Sequence, residues 1–172
     1  MTYLPAFDPY GAAYRLLHLL ILFPVGEVVE VDRLCIFDFY LLFPEHTHTI
    51  RLRRSESDLR TQRAHAVGAR SASYSLVADG RRLLERMQPS QTAALQALAA
   101  RGIISARNLL RGEALVTDAA LMQHTLASLP PLTQREAAVS QWLLHCFATT
   151  PLTGEYGLKH RTQLMEYRYD GC

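Results

Sequence analysis

Three stretches of this sequence hold residue types that could do chemistry. Glu45-His46-Thr47-His48 offers a carboxylate and two imidazoles, and His46 and His48, as alternate residues, would share one face of a strand. A catalytic zinc needs three protein ligands and a structural one four, and the sequence places no further ligand nearby. No metal or other cofactor is therefore expected. His145 and Cys146 set a base beside a thiol. Consecutive helical residues point about 100° apart, so the imidazole would not face that sulfur, and a buried structural cysteine is the better reading. Asp38 sits inside an apolar run, where an ionised carboxylate needs a partner. Arg15 is the candidate, and a structural ion pair outweighs catalysis, since ion pairs perturb carboxylates without any reaction. The sequence shows no glycine-rich phosphate loop, serine elbow or paired catalytic carboxylates. It reads as a protein without catalytic residues.

A fourth cluster is electrostatic. Arg51, Arg53, Arg54, Arg60 and Arg63 crowd one polar stretch and could contact DNA phosphates. Of 18 basic residues only Lys159 is a lysine, a bias that more often reflects a GC-rich genome than function. Arginine does suit bidentate phosphate or carboxylate contacts better than lysine. The net charge of +2 is too near neutral to announce a polyanion partner by itself.

The elements that must position these residues can be read from caps and periodicity. Two nearly apolar helical segments lie within residues 8–44. Asp8 and Asp32 stand where N-caps belong, and Phe23-Pro24 and Phe43-Pro44 close the runs. Both segments should be buried. Val25 to Val31 reads as a turn or a short exposed strand. Residues 45–72 read as an Arg-rich exposed connector, with room for a polar helix from Ser57 or Asp58 to about His65. Residues 73–117 read as a winged-helix-like unit: a brief strand at Tyr74–Val77, a helix from Asp79 to Met87, and a break at Gln88-Pro89-Ser90. A second helix then runs to Gly102, followed by strands at Ile103-Ile104 and Ala114–Val116. The second helix displays mostly Gln, Thr and Ala, with Arg101 its single cation, so it suits protein contacts at least as well as base reading. Residues 118–172 add a helix from Asp118 to Leu129 and another opened by a capping box at Thr133-Gln134-Arg135-Glu136, then a tail. The expected fold is mainly α with a minor β-ribbon, one compact domain overall from the stretches 1–44, 45–72, 73–117 and 118–172. Three widely spaced cysteines without a CxxC pair fit a reducing cytoplasm. The apolar run Leu16–Phe23 is far short of the roughly 20 residues of a membrane span, so a soluble cytoplasmic protein is expected.

Several of these pieces carry a family resemblance. They are Asp8-Pro9-Tyr10 with Arg15-Leu16-Leu17, Asp32-Arg33-Leu34 with Asp38-Phe39-Tyr40-Leu41-Leu42-Phe43-Pro44, and Met87-Gln88-Pro89-Ser90-Gln91 followed by Ala94 and Leu98-Ala99-Ala100-Arg101-Gly102. Gly157-Leu158-Lys159 and Leu164-Met165-Glu166 extend the match into the tail. With these the chain resembles the small middle component of bacterial ABC-three-component conflict systems, the group that includes Lamassu-type anti-phage defence. The resemblance implies a non-enzymatic subunit between an SMC/Rad50-like ABC ATPase that senses foreign DNA and an effector, often a nuclease. It carries over no catalytic residues. The tail residues Leu158, Leu164, Met165, Tyr167 and Tyr169 add apolar surface beyond what a core needs, which marks a partner interface. The alternative reading is a winged-helix transcription regulator binding operator DNA as a dimer.

Overall fold

The computed structural model describes residues 7–68 and 80–166. Within them the chain is mainly α, with a minor two-stranded antiparallel ribbon. It divides into two compact units, Met1–Asp38 with Arg86–Leu132 and Phe39–Glu85 with Thr133–Cys172. The strand expected at Tyr74–Val77 and the cap at Asp79 lie outside the described residues.

In the first unit, helix α1 (Pro9–Leu20) starts where the Asp8 carboxylate accepts the N–H groups of Tyr10 at 3.2 Å and Gly11 at 3.0 Å. Ala12, Leu16, Leu19 and Leu20 form its buried stripe. Strand β1 (Val28–Glu30) leads directly into α2 (Val31–Leu42). Asp32 is therefore inside the first turn of α2 rather than its cap, a position the helix dipole still favours for an acid. Phe23, on the loop after α1, stacks on Phe37 of α2 with centroids 6.5 Å apart.

The helix–turn–helix expected around residue 89 is not formed. Gly80–Ala100 is one 21-residue helix, α4, with Pro89 inside it. Proline withholds one N–H from the ladder and disfavours helical geometry before it. Here Leu84 and Met87 before it, and Gln91, Ala94, Leu95 and Leu98 after it, are all buried on the same helix, and their burial outweighs the lost hydrogen bond. The helix ends as expected at Gly102 (φ +74°), where Gly102 N–H bonds Ala99 C=O and Ile103 N–H bonds Leu98 C=O. The ribbon also pairs differently. After the short helix α5 (Ala106–Leu109), strand β2 (Glu113–Leu115) pairs with β1 in the register Val28↔Leu115, Val29↔Ala114 and Glu30↔Glu113. Ile104 supplies only a single bridge to Val116. Helix α6 (Ala119–Ala127), capped by Asp118 through Leu121 N–H at 2.8 Å, completes the unit against α1.

At the centre of this unit lies one carboxylate. Asp38 is fully buried; Arg15 Nε donates to its Oδ1 at 2.5 Å and Gln91 Nε2 to its Oδ2 at 2.8 Å. Gln91 also donates to the Cys35 carbonyl at 3.1 Å. Complete burial pushes the Asp38 carboxyl above the ordinary carboxylate range, while the Arg15 charge and both sets of hydrogen bonds act against that shift.

The second unit includes the last turns of α2, a 3-10 helix (Pro44–Thr49), α3 (Ser57–Val67), α7 (Gln134–Phe147) and α8 (Leu158–Thr162). Thr133 and Glu136 form the reciprocal cap of α7: Glu136 N–H donates to Thr133 Oγ1 at 3.2 Å and Thr133 N–H to Glu136 Oε2 at 2.8 Å. Helix α3 packs on α7, and Trp142 Nε1 donates to the Leu59 carbonyl at 3.1 Å. Residues 45–72 thus include two helical elements, with Thr47, Ile50 and Val67 buried.

Asp38→Ala should strand the Arg15 guanidinium in the core and cost about 3–5 kcal/mol. Urea denaturation should show it as a lower midpoint at unchanged slope. Arg15→Met combined with Asp38→Leu should recover much of that loss, because no buried charge is then left alone. A single Asp38→Ala variant that unfolds at the wild-type urea concentration would refute the account.

Candidate functional site

The arginines picked out by the sequence meet a second segment, residues 153–162, in the second unit. Arg51 N–H donates to the Arg161 carbonyl at 3.0 Å. Arg161 is the fixed point. Its guanidinium, 5% exposed, forks across Glu56 at 2.8 and 2.9 Å and donates from Nε to the Tyr156 carbonyl at 2.8 Å. Glu56 in turn accepts the Arg53 N–H at 2.7 Å. The planar fork of arginine matches a carboxylate bidentately, which fixes direction as well as distance. One part-buried ion pair thereby holds the loop 51–56 against residues 156–161.

The outward face of this clamp is cationic. Arg51, Arg53, Arg54 and Arg60 are exposed. Arg53 lies over the Tyr156 ring at 4.4 Å from its centroid, and Arg51 Nη1 is 3.4 Å from His160 Nε2. Arg60 Nη2 reaches the carbonyls of Leu52 and Arg53 at 3.4 Å. Tyr156 adopts the left-handed region (φ +61°), which few non-glycine residues enter. At the next residue, a Cβ on Gly157 would sit 2.4 Å from the Thr153 carbonyl oxygen, so the turn that presents Tyr156 has no room for a side chain there. Arg63 is placed apart from the four: half-buried, it donates to the Thr47 carbonyl at 2.9 Å.

The guanidinium groups of the cluster can donate hydrogen bonds to an anion. Hydrogen bonds from Arg161, against burial and with help from the Arg53 N–H, hold the Glu56 carboxyl below its ordinary range. Burial pushes the Cys146 thiol up to about 12, and it also raises Cys35, so both remain protonated near neutrality. Around the histidine pair, His46 is edge-on to Phe39 at 5.2 Å, and burial lowers its pKa. Glu45 pairs with Arg135. Among the described residues no group of three or more His, Cys, Asp or Glu side chains could hold a metal ion.

The tail is placed differently from the sequence expectation. Leu158, at the start of α8, and Leu164, just after it, are buried at 0% and 4% exposure and are not open to a partner there. Met165 is half-buried, and Tyr167 and Tyr169 lie outside the described residues. Sequence reasoning missed Glu56, Tyr156, His160 and Arg161. Glu56 and Arg161 are 105 positions apart, and no local spacing signals such a pair.

The sequence model of a family described as ABC-three component (ABC-3C) system Middle Component 5 matches residues 1–170. No curated protein and no solved structure matches the chain. Among the described residues no helix is long and apolar enough to cross a membrane.

The Glu56–Arg161 pair gives stability a defined pH dependence. The folded-state pKa of Glu56 is lowered from 4.5, so the unfolded chain binds the proton more tightly. Its stabilisation is complete above that value and is lost as the pH falls through the lower, folded-state value. Thermal midpoints between neutral pH and about pH 3 should therefore separate wild type from Glu56→Gln at neutral pH and converge in acid. Parallel curves throughout would rule out this pair as the clamp.

Proposed function

The chain belongs to the ABC-three-component middle component 5 family, and we propose that it is a non-enzymatic adaptor subunit of a Lamassu-type anti-phage defence complex. In this reading it bridges an SMC/Rad50-like ABC ATPase and a nuclease-type effector and touches double-stranded DNA through phosphates. Family membership supports work alongside other components of a system. The observation that carries the DNA contact is the exposed set Arg51, Arg53, Arg54 and Arg60, on and beside the loop that the part-buried Glu56–Arg161 pair fixes. Such a surface suits the repeating charge of a phosphate backbone and has no preference for sequence.

An operator-binding regulator is the weaker reading. It requires a turn at residues 88–90, where the chain instead forms the continuous α4. The exposed residues of that helix from Gln88 to Ala100 include Thr92, Gln96 and Ala97 and no cation.

Co-expression with the two other components should yield a complex that contains this chain. DNA binding by that complex should be insensitive to sequence and should weaken with salt. Replacing Arg51, Arg53 and Arg54 together by Gln should make the log–log salt dependence shallower by about 0.9 for each phosphate no longer neutralised. An unchanged slope would remove these arginines from the DNA contact. Tight, sequence-selective binding by the chain alone would favour the regulator instead.

A further inference from the structure

The first unit carries a groove that the arginine patch does not use. Its cavity volume is about 520 Å³, and its lining is mostly apolar, with Val31 at the start of α2, Leu95 and Ala99 on α4, and Leu109 and Leu110 on and after α5; Thr92 and Gln96 of α4 are its polar members. Leu110 is 91% exposed, the most exposed large apolar side chain of the described residues. A leucine left in water beside an apolar trough costs solvation free energy that a partner's apolar side chains would recover.

The rim identifies the partner's chemistry. Arg101, Arg107 and Arg111 are each the chain neighbour of a lining residue, namely Ala100, Ala106 and Leu110, and all three are exposed. The acids in the same position are Glu30 and Asp32, on either side of Val31. Glu30 is tied to Arg33 at 2.7 Å. Glu113, just beyond the rim on β2, accepts from Asn108 Nδ2 at 3.0 Å. The rim is therefore net positive around a mostly apolar floor. That combination matches an amphipathic helix with apolar anchors at i, i+3/i+4 and i+7 and acidic residues along its edges. A nucleic acid would match the rim but would gain little from the leucine and alanine side chains that make up most of the lining.

We propose that this groove is the docking site for an acid-flanked amphipathic helix of another protein component of the same system. The inference rests on the adaptor reading and names the surface through which it operates. Leu110 and Leu109 anchor the incoming helix, while Arg107 and Arg111 raise its rate of encounter and set its direction.

The test uses the full chain co-expressed with the other two components. A photo-crosslinking amino acid in place of Leu110 should join this chain to a component peptide with that apolar and acidic pattern. Leu110→Ser should weaken binding of that component at least tenfold, with the thermal midpoint of the free chain unchanged because the side chain is exposed. Arg107→Glu with Arg111→Glu should slow association at low salt, and the difference should fade at high ionic strength. An intact complex that gives no crosslink from position 110 and is indifferent to Leu110→Ser would overturn the groove and leave the adaptor reading standing. Crosslinks only to a second copy of this chain, or only to DNA, would equally overturn it. Failure of the wild-type chain to join any complex would sink the adaptor reading, and this inference with it.

Discussion

A carboxylate removed from water must be met by donors already in position, and in the first unit that requirement falls on Asp38. Its partners come from α1 and α4, while it sits on α2 itself, so three separate helices are tied to one pair of oxygens. Apolar packing alone tolerates a helix sliding along its axis by fractions of a turn. Hydrogen bonds at 2.5–2.8 Å from Arg15 and Gln91 do not. Leu16, Leu19, Leu34, Ile36, Phe37, Met87, Ala94 and Leu95 are buried on those helices, and the polar centre fixes which of their faces are brought together. Gln91 Oε1 is buried without a hydrogen-bond partner, so the donors around the carboxylate are satisfied while this acceptor is not.

The same logic recurs in the second unit, where Arg161 takes the place of Arg15 and Glu56 that of Asp38. It also separates the chain's arginines by role. Arg15, Arg33 and Arg161 are nearly inaccessible and each faces a carboxylate, at 2.5, 2.7 and 2.8 Å. Removing any of these three would leave a buried or half-buried charge alone, a structural effect. Arg51, Arg53, Arg54 and Arg60 are exposed, and contacts with Tyr156, His160 and nearby carbonyls orient Arg53, Arg51 and Arg60 without neutralising them. Residue type is shared across both sets; burial is what distinguishes a strut from an exposed charge.

Local devices were readable from sequence because they are closed within a few residues. Asp8, Asp118 and the Thr133–Glu136 box each act over three positions, and Gly102 ends its helix by its own permissive backbone. The acid at position 38 was informative for a related reason: an isolated carboxylate among Leu, Ile and Phe implies a cation somewhere. What the sequence concealed depends on distant chain. Pro89 reads as a break until the burial flanking it is known. Val28–Glu30 reads as a turn or lone strand until β2, more than 80 positions later, is laid beside it. Leu158 and Leu164 look like surplus apolar surface in a polar tail, and only the fold shows that both are turned inward. The clamp behind the arginine patch was invisible for the same reason.

The single tryptophan gives the second unit an optical signature of its own. Trp142 is 4% exposed, its indole N–H is bound to the Leu59 carbonyl across the α3–α7 seam, and its ring meets Phe147 edge-on at 5.7 Å. Its fluorescence therefore reports the seam directly, with a blue-shifted emission while α3 is docked and a red shift once water reaches the indole. The first unit holds no tryptophan, so selective excitation of the indole leaves it silent, whereas both units contribute to the circular dichroism of the backbone. Comparing the two signals through one denaturation distinguishes a chain that melts in a single cooperative step from one whose units melt in turn. The sequence supplies that comparison without any added label.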